Sequence, residues 1–286
     1  MPVDLHSHTT HSDGTLTPGE LIRLAKSRAL SAIAVTDHDV TTANGEAIAV
    51  GKETGITVVP GVELSIDYML VSGGHIDILG LFIDYGQEAL NNALNYLREE
   101  RHKRSEKILD RLSGLGINLS LEEVRNEAGK GSIGRPHIAR VLMKQKYVAS
   151  IEEAFERYLK TGAPAFIDKE KLTAPDAIEL IHQAGGLTIL AHPFSLGFNT
   201  YRELFDEILA LKKLGLQGIE VYYTNYSSDM SRSLRRFAQG NGMLISGGSD
   251  FHGSNKPQVQ LGSGSGKLEV PDSVYNDLHD FWRKGR

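Results

Sequence analysis

Along the first 84 positions, short apolar runs alternate with amphipathic stretches, the pattern of successive βα units. Val3, Asp4 and Leu5 form a brief strand. Thr17-Pro18-Gly19-Glu20 sets an N-cap threonine before a proline at the first helical position and a glutamate at the third, opening a helix on which Leu21, Leu24 and Ala25 recur at helical spacing. Residues 32–36 are the next strand and 42–54 the next helix. Residues 57–59, 62–69 and 75–83 read as further strands, the last two around a hairpin turn at Gly73-Gly74.

From residue 87 to 161 the strand pattern disappears. Helix formers dominate, and Ser120-Leu121-Glu122-Glu123 and Ser150-Ile151-Glu152-Glu153 each have the form of a capping box. The expectation is an all-helical subdomain at 87–161 inserted into an α/β domain made of 1–86 and 162–286. Beyond it the alternation resumes, with strands at 187–191, 218–222 and 243–246, and helices at 174–184, 201–214, 228–241 and 271–283.

The apolar runs end on chemistry. His6-x-His8 with Asp13, Thr36-Asp37-His38, Gly61-Val62-Glu63, His75-x-Asp77, Ala191-His192-Pro193 and Ser249-Asp250-Phe251-His252 each sit beside one. Alternation points His6 and His8 to one face, although an isolated pair of this kind is most simply two surface histidines. Asp13, followed by Gly14, is either a ligand folded back over the strand end or a turn residue. His38 is the ligand candidate of its trio, with Asp37 and Asp39 orienting neighbours or capping the next helix. Glu63 on an apolar strand needs a partner, either an arginine or a shared metal. Delivery from strand ends in every case is how a barrel assembles a multi-metal centre at one rim. Gly247 and Gly248 would let the backbone approach a ligand closely.

Composition narrows the chemistry. The 286 residues include no cysteine, so any metal is held by nitrogen and oxygen alone, which favours hard or borderline ions. No run approaches the roughly 18 apolar residues of a membrane span. A formal net charge of −5 argues against general adhesion to nucleic acid, leaving any anionic partner to be bound locally. The chain enters its first strand without a basic stretch or apolar signal core, and a cytoplasmic location is expected.

The order DLHxHTxxSDGxLxPxEL, TDHD, GVE, an ILGxFID strand, AHP and SDFH resembles the PHP (polymerase and histidinol phosphatase) family over nearly the whole chain outside the insertion. The resemblance implies a distorted (β/α)7 barrel and a phosphoesterase with two or three divalent ions, Mn²⁺, Fe²⁺ or Zn²⁺. It implies one ion at His6, His8, Glu63 and Asp250, a second at Glu63, His192 and the central strand, and a third at Asp13, His38 and His252. Related chains usually carry histidine directly before that strand's Ile-Leu-Gly, where this chain has Asp77, with His75 two positions earlier. Either Asp77 ligates in its place or His75 takes over by a small register change.

The insertion adds a basic stretch, in which Arg101 and Arg104 share a helix face, and the segment Gly134-Arg135-Pro136-His137. Arg135 is suited to clamp a phosphate bidentately. The segment GRPHIA resembles the substrate-binding segment of PHP phosphatases acting on nucleoside 3′,5′-bisphosphates. The metals would take one phosphate and Arg101, Arg104 or Arg135 the other, with Gly134 and His137 shaping that site. The expected partner is a small phosphorylated nucleotide giving an AMP-like product, with no membrane and no stable nucleic-acid complex. His192, Arg135, Asp13 and His38 are the catalytic candidates, and either His192 or His137 would protonate the leaving oxygen. The alternatives are a 5′→3′ exonuclease on short oligonucleotides, a histidinol-phosphate-type monoesterase, and a non-catalytic binding module.

Overall fold

The computed structural model describes residues 2–129 and 133–285. Packing divides the chain into two units, Met1–Asn92 with Lys171–Arg286, and Ala93–Glu170. The division falls later at both ends than the pattern suggested. Helix α3 (Glu88–Gly114, following the elements given below) already begins among residues of the first unit, and Ala165 and Ile167 pack into the core of the second.

The first unit opens with β1 (Pro2–Asp4), α1 (Pro18–Ser27), β2 (Ala32–Val35), α2 (Asn44–Thr54), β3 (Thr57–Asp67) and β4 (Ile76–Leu81). After the second unit it continues with β5 (Leu172–Thr173), α7 (Ala174–Gln183), β6 (Leu187–Leu190), α8 (Tyr201–Lys213), β7 (Gly218–Tyr223), α9 (Ser228–Gly240), β8 (Leu244–Gly248), β9 (Val270–Pro271) and α10 (Asp272–Lys284). The intervening helices after α3 are α4 (Leu121–Ala128), α5 (Arg135–Lys144) and α6 (Ile151–Ala154). The Thr17 capping box forms as read, each partner satisfying the other's backbone N–H.

Among the described residues the strands make one mixed sheet in the order β8-β7-β6-β4-β3-β2-β1-β9, with β5 against β3. Residues 57–59 and 62–69, read as separate strands, are one. Pro60 has no N–H to contribute, but its carbonyl accepts from Ile83 N at 3.3 Å and the strand runs on through it. The hairpin after β3 makes β4 antiparallel to both β3 and β6, because so short a connection has no room for a crossover helix. His75 and Asp77 therefore lie at the start of their strand yet on the same rim as the ends of its parallel neighbours.

Beyond β1 and β8 the chain closes the sheet on itself. Leu5 N donates to Gly247 O at 3.1 Å, Asp250 N to His6 O at 2.9 Å and His8 N to Phe251 O at 3.0 Å. The result is a nearly closed distorted barrel. Gly248 makes the closure possible, since a Cβ there would stand 2.4 Å from His6 N, so this glycine admits the neighbouring strand. Inward side chains such as Leu5, Ala34, Leu79 and Ile189 pack with Val274 and Leu278 of α10.

The regular elements of the second unit are all helical among its described residues, with a π-turn at Phe155–Leu159. Its own core gathers Leu112, Val124, Ile138, Leu142 and Leu159. No described helix in either unit is long and apolar enough to cross a membrane.

Candidate metal centre

His6 and His8 leave β1 two residues apart and both turn inward, fully buried. Their Nε2 atoms lie 3.1 Å from each other, and each lies 3.2 Å from Glu63 Oε2. Asp250 Oδ1 stands 3.5 Å from His6 Nε2 and 3.2 Å from His8 Nε2. Glu63, midway along β3, also reaches His38 Nδ1 at 3.1 Å through Oε2 and His192 Nε2 at 3.1 Å through Oε1. Asp13 closes the far side, 3.1 Å from His252 Nε2 and 3.9 Å from His38 Nε2.

Among the described residues, four groups bring their ligand atoms within 4.8 Å of one another inside each group: His8, Asp13, His38 and His252; His6, His8 and Asp250; His75, Asp77 and His192; and His38, Glu63 and Asp77. All ten residues singled out as ligands in the sequence thus fall into one connected cluster. At the central strand the two contenders differ in burial. The His75 side chain is 62% exposed and that of Asp77 10%, and Asp77 alone belongs to two groups.

The donor set suits cations. Glu63 Oε2, His8 Nδ1 and His38 Nδ1 are buried and find no aligned hydrogen-bond partner among the described residues. A carboxylate oxygen facing unpartnered imidazole nitrogens is costly without an ion between them. Electrostatics agree. Burial works against the charge of Glu63, Asp13 and Asp250, yet the surrounding histidines hold all three carboxyls well below their ordinary range. Burial likewise disfavours charged His8, but the facing carboxylates of Asp250, Glu63 and Asp13 outweigh it and push that imidazole up to about 10.

A surrounding set of side chains fixes these ligands. Asp37 accepts from Thr9 N at 2.8 Å and Ser12 Oγ at 2.5 Å, setting the loop that carries Asp13. Asp39 receives Ser65 N at 3.2 Å beside Glu63 and so orients a neighbour, while the N-cap residue of α2, Ala43, makes no side-chain cap bond. His192 has a left-handed backbone at φ 30°, its N–H donating to Glu220 Oε2 at 2.7 Å. The other oxygen of Glu220 meets His6 Nδ1 at 3.1 Å, which leaves His6 Nε2 to the cluster. Glu220 escaped the sequence reading, although a fully buried glutamate inside Gly218-Ile219-Glu220-Val221 carries the same signal as Glu63. Lys256 and Tyr223 were also missed as partners of Asp250, whose Oδ2 takes the ammonium at 2.6 Å and the phenol at 2.9 Å.

The cluster opens into a cavity of about 420 Å³, with Glu63, Asp77, His192 and Asp250 on one side and Phe194, Tyr223, Tyr226 and Lys256 among the other lining residues. Its size suits a small ligand held by a few polar groups against apolar walls.

In the second unit, Arg135 is the first residue of α5. Its guanidinium donates to Leu159 O at 3.0 Å and lies 5.2 Å from the Phe166 ring centroid and 5.8 Å from that of Phe155. Arg104 donates to Ile167 O at 2.8 Å and keeps a buried Nη2 without a hydrogen-bond partner among the described residues. Burial, helped by Arg135 and Arg101, brings Arg104 down to about 10. His137 is buried and its Nδ1 accepts from Gly134 N at 3.0 Å, a helix cap.

Residues 4–221 match the PHP domain. The chain is similar to a 5′-3′ exoribonuclease of Haemophilus influenzae, at 36% identity over 95% of this chain and 96% of the relative. It is also similar to a 3′,5′-nucleoside bisphosphate phosphatase of Chromobacterium violaceum, at 35% identity over 87% of each. A solved structure from Bifidobacterium adolescentis, assigned as a metal-dependent phosphoesterase, superposes with TM-score 0.82 at 26% identity, covering 97% of this chain and 96% of the other. With the match running through both strand sets that build the rim, the chain belongs to the PHP domain family.

Proposed function

We propose that this protein is a metal-dependent phosphoesterase acting on small nucleotides, with the 3′-phosphate of a nucleoside 3′,5′-bisphosphate as its preferred group. The observation that carries the reading is Glu63 Oε2, an aligned-partnerless carboxylate oxygen within 3.2 Å of nitrogens of His6, His8 and His38. Glu63 would be shared between ions, with His6, His8 and Asp250 on one side and His192 and Asp77 on the other. Asp13, His38 and His252 would hold a third. Asp77 is favoured over His75 because it is the less exposed and points into two ligand groups. Its oxygen moves that position toward Mn²⁺ or Fe²⁺. When bound, such ions supply an activated water and neutralise charge on the phosphoryl oxygens.

The protein's own groups complete the site. Lys256 lines the cavity with a cation beside Asp250, placed to meet a phosphoryl oxygen. His192, with Nε2 on Glu63 and Nδ1 beside Ser195 Oγ at 3.0 Å, serves as a ligand and not as the proton donor. His137, committed to its helix cap, is no better placed for that task. The arginines of the helical unit form an anion patch suited to phosphate. The relatives' names support both a mononucleotide phosphatase and an exonuclease, and the chemistry of the rim serves either.

Phosphate release from adenosine 3′,5′-bisphosphate, set beside release of mononucleotide from a short 5′-phosphorylated oligonucleotide, tests the reading on protein of known metal content. The expected result is faster turnover of the bisphosphate and loss of activity on chelation. Undiminished turnover by metal-stripped protein would overturn the assignment.

A further inference from the structure

A second cavity, about 550 Å³, shares Tyr223 and Tyr226 as lining residues with the cavity at the metal cluster. One wall is a face of α9, where Ser228, Ser231, Arg232 and Arg235 recur at helical spacing. The loop residues Lys267, Leu268 and Glu269 and Tyr222 near the end of β7 also line it. Three cations against one acid give this lining a positive balance on a chain whose net charge is −5. Arg232 is engaged by Asp229 at 2.8 Å, whereas Arg235 and Lys267 are exposed and paired with no carboxylate among the described residues.

Nothing in the chemistry proposed for the rim uses these groups. A mononucleotide is of the size of the first cavity, so a second, adjoining hollow with cations and tyrosines has the composition of a site for more of the same polymer: phosphates for the cations, sugars and bases for the rings. We propose that this cleft is a subsite for the nucleotide that follows the scissile linkage in a short 5′-phosphorylated oligonucleotide, with Arg235 and Lys267 on the phosphate at its 3′ side, the scissile phosphate staying at the rim, and Tyr222 against its sugar or base. The assignment rests on the phosphoesterase reading of the rim and gives the exonuclease alternative a defined place for its second nucleotide. It also reconciles an acidic protein with a polyanionic ligand, since the hollow beside the chemistry carries a local excess of positive charge.

The test is equilibrium binding by the metal-loaded full chain of a 5′-phosphorylated trinucleotide with phosphorothioate linkages, read by fluorescence anisotropy, and of adenosine 3′,5′-bisphosphate, read by calorimetry. Arg235→Ala/Lys267→Ala should bind the trinucleotide about tenfold more weakly, with the salt dependence of its affinity shallower by roughly 0.7 for each phosphate no longer neutralised. Binding of the bisphosphate should stay within about twofold. Lys267→Glu, also at an exposed position, should weaken the trinucleotide further, and circular dichroism verifies that each variant is folded. Equal weakening of both ligands, or of neither, overturns the subsite. Turnover separates the two ideas. Selective loss of trinucleotide binding with no hydrolysis of either parent substrate keeps the subsite and defeats the phosphoesterase reading, while hydrolysis of both with unaltered binding by the variants does the reverse.

Discussion

At the barrel rim, Glu63 and Asp250 are buried and Asp13 half-buried among the imidazoles of His6, His8, His38, His192 and His252. In the helical unit, Arg101, Arg104 and Arg135 press on one another, with Asp168 as a counter-charge near Arg104 and Arg135. Both regions hold ionisable groups out of water at a cost that stability alone does not require. The rim does it with ten residues from the strands and the loops between them, cross-linked by Glu220, Asp37 and the β1–β8 closure. The arginine patch does it with flexible side chains resting on carbonyls and aromatic rings. A cluster of the first kind discriminates by geometry and suits an ion with fixed coordination. One of the second kind discriminates by charge and suits a diffuse anion such as phosphate.

The sharpest way to break this contrast is Glu63→Gln, which keeps the shape and removes the charge that four histidines share. Turnover should fall about a thousandfold, the worth of roughly 4 kcal/mol of charge stabilisation, with metal lost from the purified protein by elemental analysis. Wild-type metal content at the wild-type rate would refute the shared-ligand role. Asp13→Ala and His38→Ala should each lower phosphate release about a hundredfold or more while part of the metal is retained, because His6, His8 and Asp250 remain intact. Complete loss of metal in Asp13→Ala would show instead that the groups fill and empty as one.

How far the rim could be read in advance follows from its construction. His6, His8, Glu63, His192, Asp250 and His252 announce themselves because a charged or metal-binding residue on or next to an apolar run has few explanations. Glu220 carried that signal and was passed over, since nothing in one strand tells whether its carboxylate faces an ion or holds another ligand's ring. Lys256 gave no signal at all. Its approach to Asp250 depends on the short turn Gly253–Asn255, where local sequence shows only a glycine and polar residues. The barrel was legible as alternating βα units, but Pro60 disguised one long strand as two, and the reversal of β4 rests on a hairpin whose consequence for the rim is purely topological. The roles assigned to Arg135 and His137 came from a motif, and a motif gives no account of which atoms are already occupied: His137 caps its own helix.

Glu220→Gln sharpens the comparison from the supporting side. It leaves the rim's ligand atoms in place but weakens the group that orients the ring of His6 and the backbone of His192. Metal affinity should fall about 10- to 100-fold, measured by competition with a chromophoric chelator, and excess metal should restore most of the rate. If excess metal restores nothing, Glu220 acts on the reaction and not on the ligands. In the helical unit, Arg135→Ala should raise KM about tenfold with kcat nearly kept, the signature of weakened substrate binding. A drop in kcat at constant KM would move Arg135 from binding into the chemistry.

The smallest effect is expected where the two kinds of buried charge differ most. Arg104→Met replaces a guanidinium that burial brings down to about 10 with an apolar chain of similar reach, losing one hydrogen bond to Ile167 O and relieving repulsion from Arg135 and Arg101. Those contributions are of similar size and opposite sign, about 1 kcal/mol each, so the melting temperature without phosphate should move by no more than about 3 °C. Phosphate should tell the proteins apart. In metal-stripped protein, where the rim holds no metal ion for phosphate to ligate, wild type at a hundredfold excess over Kd should gain about 2.7 kcal/mol, and the variant much less. Equal stabilisation by phosphate would mean that Arg104 is a packing residue with a charged tip. A markedly lower melting temperature without phosphate would mean that its charge is already satisfied within the helical unit, and the parallel with the unpartnered oxygen of Glu63 would fail at that residue.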